Sequence, residues 1–247
     1  MNEATFRFYE ELNDFLPEES RKRPVSFTFV VGPSVKDAIE ALGVPHVEVD
    51  LVVVNGRSVG FDHRLGNGER VAVYPVFESI DVSPAVRLRP EPLRRTAFVA
   101  DVHLRRLARL LRLLGLDTVH GSDLDDDEIV AISKREHRII LTRDRQLLKH
   151  GDVTHGYWVR STDPTEQARE VVRRFDLRDQ ISPFSRCLVC NGELERVEKG
   201  EVLDRIPPKT AAWLDEYYAC RSCRKLYWRG THADRLADTI DRIVKPD

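Results

Sequence analysis

"FVADVHLRRLARLLRLLGLDTV", residues 98–119, decides how this chain is read. "FVA" is a short apolar run that stops abruptly at Asp101. From Val102 to Leu114, Leu104, Leu107, Leu111 and Leu114 recur at helical spacing and form a stripe that must face a core. Arg105, Arg106, Arg109 and Arg112 take the other faces, where solvent or local acids receive them. "DTVH" (117–120) then returns to strand character. A strand, a helix and a strand in this order predict the first unit of a parallel sheet.

The alternation continues downstream. A helix is expected from about Asp125 to Glu136, a strand in "RIILT", a short helix from about Asp144 and a strand in "GYWV". The helix "DPTEQAREVVRRF" follows, with Asp163 as N-cap, Pro164 in the first helical position and Glu166 set to close a capping box. The fold class is α/β, a parallel sheet flanked by helices.

Ligands of open parallel sheets bind beyond the carboxyl ends of the strands. Asp101 follows "FVA", the acidic run Asp123–Asp127 follows "DTVH", and Asp144 follows "RIILTR". Three acidic positions, distant in sequence, are thereby expected on one rim. Each has an ordinary alternative. Asp125 or Asp126 can cap the helix "DDDEIVAIS", and Asp144 can cap "RDRQLLKH". Asp101 has the weakest such alternative, because a buried, unpaired carboxylate is costly. Clustered carboxylates repel unless a cation compensates. Oxygen ligands at a hydrated site favour Mg²⁺ or Mn²⁺, which can activate water and neutralise a phosphate. Arg105, Arg143 and Arg145 are the candidates to hold that phosphate. "DVH" also suggests a metallophosphatase motif, but no Gly-Asn-His follows, and His103 is read as structural.

Composition is that of an ordinary globular protein: 247 residues, 41% hydrophobic and 32% charged. The net charge of −2 names no partner, whereas its distribution does. Eight arginines lie between Arg87 and Arg112, and five acids lie between Asp123 and Glu128. That pairing suits an anionic ligand handled with the help of a cation. No apolar run approaches the ~18 residues of a membrane span. The opening "MNEATFRFYEEL" has no basic patch ahead of an apolar core. A cytoplasmic protein with reduced thiols is expected.

All four cysteines fall in two CxxC pairs, Cys187/Cys190 and Cys220/Cys223. Four thiolates at this spacing build a closed structural zinc site, and the long loop between them suits a β-ribbon over 183–230. Trp213, Tyr217, Tyr218, Tyr227 and Trp228 are expected to form its small core. Residues 1–80 read as a separate α+β unit. It has strands in "ATFRFYE" and "VSFTFVV" separated by a charged, proline-containing loop, a helix in "GPSVKDAIEALG" capped by Ser34 and closed by Gly43, and strands in "DLVVVNGRSVGF" and "ERVAVYPVF". Pro84, Pro90 and Pro92 mark 81–96 as a linker. The sheet domain is placed at 97–182 and a final helix at 231–247.

"FVADVHLRRLARLLRLLGLDT", "DDDEIVAIS", "RIILTRDRQLL", "CLVC" and "CRSC", in this order from about Ala97 to Gly230, resemble the Mut-7 C-terminal RNase domain family, a branch of the PIN-like nucleases. The resemblance implies a PIN-like fold with a zinc ribbon and metal-dependent ribonuclease chemistry. It maps the family's acids to Asp101, Asp144 and a member of the run Asp126, Asp127, Glu128, with Asp126 favoured. A fourth acid, general among PIN nucleases, has no evident counterpart. "VVVNGRSVGFDHRLGNGERVAVYPVF" is similar to the ubiquitin-like (β-grasp) sulfur carriers of thiamine and molybdopterin synthesis. Those carriers end in a free Gly-Gly, whereas this chain runs on through "ESIDVSPAV", so the resemblance implies binding of a protein partner or positioning of RNA. The expected function is a ribonuclease using Mg²⁺ or Mn²⁺. The alternative is a non-catalytic RNA-binding or adaptor protein.

Overall fold

The computed structural model describes residues 1–75, 96–228, 230 and 233–245, and all of the expected linker except Thr96 lies outside them. The described residues form two compact units, 1–75 with 144–158 and 96–143 with 159–245.

In the first unit, strands β1 (Asn2–Phe8), β2 (Val25–Phe29), β3 (Val49–Val54), β4 (Arg57–Val59) and β5 (Arg70–Pro75) form a sheet of order β2-β1-β5-β3-β4. The central pair β1/β5 is parallel and the others are antiparallel, the β-grasp arrangement expected for this unit. Helix α1 (Val35–Ala41) starts as read, with the Asp37 N–H donating to Ser34 Oγ at 3.1 Å. Phe6, Phe8, Ile39, Val52 and Val73 are fully or nearly fully buried in the core between helix and sheet.

Two details differ from expectation. "DLVVVNGRSVGF" is a hairpin, not one strand, because Asn55 (φ 49°) and Gly56 (φ 84°) take the left-handed pair that a tight two-residue turn needs. The stretch after β1 is not a plain loop but two 3₁₀ turns, Glu10–Phe15 and Glu18–Ser20, which bury Leu12, Phe15 and Leu16.

Segment 144–158 belongs to this unit. Its helix reduces to one 3₁₀ turn, Leu147–Lys149, followed by the short strand Gly156–Trp158. The Trp158 N–H donates to Glu48 Oε1 at 2.6 Å, and His46 Nε2 meets the Val153 carbonyl at 2.9 Å.

In the second unit, β6 (Phe98–Ala100) pairs in parallel with β7 (Thr118–Val119) and with β8 (Ile139–Thr142). Helices α2 (Arg105–Leu113) and α3 (Asp126–Glu136) pack on these strands, and α4 (Pro164–Arg174) packs on α2. Leu104, Leu107, Leu111 and Leu114 are all buried, as the stripe requires. Gly115 (φ 84°) ends α2 where a Cβ would stand 2.1 Å from the Ser182 carbonyl oxygen, so only glycine fits. Asp163 caps α4 by accepting from the N–H groups of Thr165 and Glu166. The Glu166 carboxylate pairs with Arg169 at 3.3 Å instead of closing a box.

Strands Leu194–Val197, Tyr217–Cys220 and Leu226–Tyr227 form the expected antiparallel ribbon. Its core is Val202, Ile206 and Tyr217. Of the five aromatics expected there only Tyr217 is buried: Tyr218 and Tyr227 are half-buried, Trp228 is exposed, and Trp213, which follows the helical turn Pro208–Ala211, is 59% exposed. No helix among the described residues is long and apolar enough to cross a membrane.

Candidate functional site

Asp101 stands directly beyond the carboxyl end of β6 and is 4% exposed. Its Oδ1 accepts the His103 N–H at 2.8 Å and so caps the 3₁₀ turn Val102–Leu104 that leads into α2. Its Oδ2 accepts the Thr142 hydroxyl and, at 3.1 Å, the Arg143 N–H, both from the end of β8. The carboxylate therefore has a structural capping role. Every one of these donors is uncharged, and among the described residues no basic side chain pairs with it.

The acidic run divides by role. Asp125 and Glu128 form a reciprocal capping box at the start of α3, with N–H to carboxylate distances of 2.8 and 3.0 Å. Asp126 and Asp127 occupy the first turn and are exposed. Asp144 lies in the first unit, where its Oδ1 accepts the Gln146 N–H at 2.7 Å in a local turn; it does not cap the 3₁₀ turn Leu147–Lys149, whose N-cap is Gln146.

The three candidate arginines are placed differently. Arg105 opens α2, is exposed, and among the described residues makes no hydrogen bond or ion pair. The Arg143 guanidinium donates to the carbonyls of Val159 (3.2 Å), Arg160 (2.7 Å) and Ser161. The Arg145 guanidinium lies 4.0 Å from the Trp158 ring centre and donates to the carbonyls of Phe15 and Asp14.

Sequence reasoning missed two residues. His120 directly follows β7, as Asp101 follows β6, and its Nε2 lies 3.4 Å from the Val102 carbonyl in the Asp101 turn. Burial lowers the imidazole below its ordinary value, assisted by Arg112 and Arg105 and opposed by the Val102 carbonyl and Asp101. The signal available in the sequence was its place at a strand end. Arg112 is the other. It was assigned to solvent or local acids, yet it is 4% exposed, because its guanidinium is satisfied by carbonyls: Thr118 at 2.8 Å, Val189 at 2.9 Å and Leu188 at 3.4 Å. Spacing alone cannot reveal acceptors supplied by a loop 77 residues away.

Cys187, Cys190, Cys220 and Cys223 converge, with all four sulfurs within 4.8 Å of one another. Among the described residues they are the one group of three or more potential ligand side chains that does so. Both CxxC turns share a design. The N–H of the residue four positions after the first cysteine, Asn191 or Arg224, returns to that cysteine's carbonyl at 3.0 Å, and both residues are left-handed (φ 69° and 60°). Gly192 is obligatory for a different reason, since a Cβ there would stand 2.8 Å from Cys220 Sγ. Desolvation alone would raise the Cys187 thiol, but hydrogen bonds from the Tyr227 hydroxyl (3.1 Å) and from nearby backbone N–H groups outweigh it and bring it to about 6. Desolvation pushes Cys190 up to about 12. One thiol poised to ionise among three neighbours at bonding range fits a soft divalent ion such as zinc.

Asp117, just before β7, joins this centre to the sheet. It accepts from Arg138 (2.6 Å), Asn191 (2.8 Å) and Arg186 (3.2 Å). Desolvation would raise its carboxyl, but these partners dominate and hold it below the usual carboxylate range.

A family model described as Mut7-C RNAse domain matches residues 96–240, and one described as Mut7-C ubiquitin matches residues 1–81. Among curated proteins, the human (Homo sapiens) "Exonuclease mut-7 homolog" is 34% identical over 106 residues, a segment that covers 40% of this chain and 12% of that protein. No solved structure matches.

Proposed function

Because this chain belongs to the Mut7-C RNAse domain family, with the Mut7-C ubiquitin domain ahead of it, we propose that it is a divalent-metal-dependent ribonuclease. The observation that carries this reading is Asp101: a buried carboxylate at the carboxyl end of a parallel strand, held by three uncharged donors and left without a basic partner. Hydrogen bonds ease the cost of burying that charge, and a divalent ion would offset what remains.

Asp101, Asp126 and Asp144 are the residues proposed to hold Mg²⁺ or Mn²⁺. Asp126 sits in the first turn of α3, and Asp144 lies two residues beyond the end of β8. Mg²⁺ keeps several of its waters, so carboxylates need not converge as tightly as the four thiolates do. Bound there, the ion supplies a water of lowered pKa and neutralises charge on the phosphate. Thr142 and the Arg143 N–H fix the orientation of the Asp101 carboxylate. Arg105, exposed at the start of α2, is the residue proposed to hold a substrate phosphate. Arg143 and Arg145 contribute by fixing the segments around the acids, through the carbonyls their guanidinium groups hold. The four cysteines hold zinc as a structural ion. The ubiquitin-like unit is proposed to bind a protein partner, and the cytoplasm is the proposed location.

A second reading, an RNA-binding adaptor without cleavage, is favoured by the exposed Trp213, whose ring can stack on a base. One assay separates the two. End-labelled single-stranded RNA is incubated with the protein in Mn²⁺, beside an EDTA control and Asp101→Asn. The nuclease reading expects cleavage that EDTA abolishes and that Asp101→Asn reduces about a thousandfold, the scale of several kcal/mol of transition-state stabilisation. RNA binding with no cleavage in any divalent ion supports the adaptor, and equal cleavage by wild type and variant defeats the nuclease.

A further inference from the structure

We infer that Arg112 is a positioning residue that couples the four-cysteine centre to the carboxyl edge of the sheet. The ribbon then acts as a metal-dependent clamp on β7. The catalytic consequence rests on the nuclease reading, whereas the coupling itself does not.

Of the four arginines of α2, Arg105, Arg106 and Arg109 are exposed and only Arg112 is buried. A buried guanidinium must find acceptors, and the two elements that supply them are informative. Its Nε donates to the Thr118 carbonyl in β7 at 2.8 Å. Its Nη1 donates to the Val189 and Leu188 carbonyls at 2.9 and 3.4 Å, inside the first CxxC turn. One side chain thus ties a sheet strand to the loop that presents two of the four sulfurs.

A second tie runs in parallel. Asn191, in the same turn, accepts the Thr118 N–H at 3.0 Å and donates to Asp117 at 2.8 Å. Thr118 therefore gives its N–H to the ribbon and its carbonyl to Arg112. With two residues, β7 has little ladder of its own against β6, so these ties make up much of what holds it.

β7 leads directly to His120 and then to the capping box that sets the start of α3 and Asp126. The placement of Asp126 and His120 relative to Asp101 on β6 follows from β7. A metal ion drawing the thiolates together fixes the Leu188–Asn191 carbonyls and side chain in the shape that satisfies Arg112. Without the ion, that shape is no longer enforced, and a buried cation loses acceptors.

Hydrogen exchange on the full chain tests this without any nuclease assay. Stripping zinc from the wild type is expected to raise exchange in residues 117–121 at least about tenfold while β6 and β8 stay protected, the mark of local rather than global opening. Arg112→Met, with one zinc per chain retained by native mass spectrometry, is expected to open the same segment, and Arg112→Lys to restore part of the protection. If Arg112→Met does not fold, Asn191→Ala, which removes the parallel tie, decides by the same measurement. Unchanged protection of 117–121 on zinc removal, or equal opening of β6 and β8 in the folded variants, overturns the coupling. A chain that shows the coupled exchange but never cleaves RNA refutes the nuclease reading and leaves this inference standing.

Discussion

Gly192 shows how a single residue can carry a site. A methyl at its Cα would come within 2.8 Å of Cys220 Sγ, one of the four converging sulfurs. Gly192→Ala is expected to weaken zinc binding by about 10–100-fold, the scale of a disturbed ligand surround, and competition with a chromogenic chelator measures it. Asp117 makes a pH prediction. Its carboxyl is held below the ordinary value, so the stabilisation it gives is present above the unfolded carboxylate pKa of about 3.9 and is lost as pH falls through the lower folded value. Asp117→Asn should lower the melting temperature at pH 7, and the gap from wild type should close in acid below that range. A gap that persists there would contradict the assignment. At this scale the sequence spoke unevenly. The place of Asp101 at the end of an apolar strand was legible, whereas its capping of the turn Val102–Leu104 was not. Arg112 was not, because its acceptors come from Thr118 and from the CxxC turn, and only the folded chain brings them to it.

Helices and strands were the most legible level, since leucine spacing and capping residues act locally. The Asp125–Glu128 box is a case in point: it starts α3 as expected and also shows that two acids of the run are engaged in capping. Asp125→Ala is expected to cost about 1 kcal/mol and to lower the melting temperature by about 2–4 °C, read by calorimetry, with zinc content unchanged. What was misread at this scale was turn chemistry. Asn55-Gly56 carries the strongest short hairpin signal in the chain, yet the apolar alternation of "DLVVVNGRSVGF" runs through the turn and reads as one strand. Glu166 was expected to fold back on the N-cap, but Arg169, one turn on, takes its carboxylate.

The assignment of 144–158 to the first unit was invisible in sequence. It follows from long-range pairs such as His46 with Val153, 107 residues apart, and Arg145 over Trp158 and against Phe15. Each unit has its own buried core, so zinc removal is expected to shift the thermal transition of the second unit and to leave that of the first in place. Calorimetry with and without a zinc chelator checks this, and a single transition displaced as a whole would contradict it. Function follows the same division: the four cysteine sulfurs converge, and the carboxylate edge is where a catalytic divalent ion is proposed. Mn²⁺ titration followed by electron paramagnetic resonance tests that edge most directly. The zinc-loaded wild type is expected to bind Mn²⁺, and Asp101→Asn, folded and with the same zinc content, to lose that binding. Equal Mn²⁺ uptake by the two proteins would contradict it.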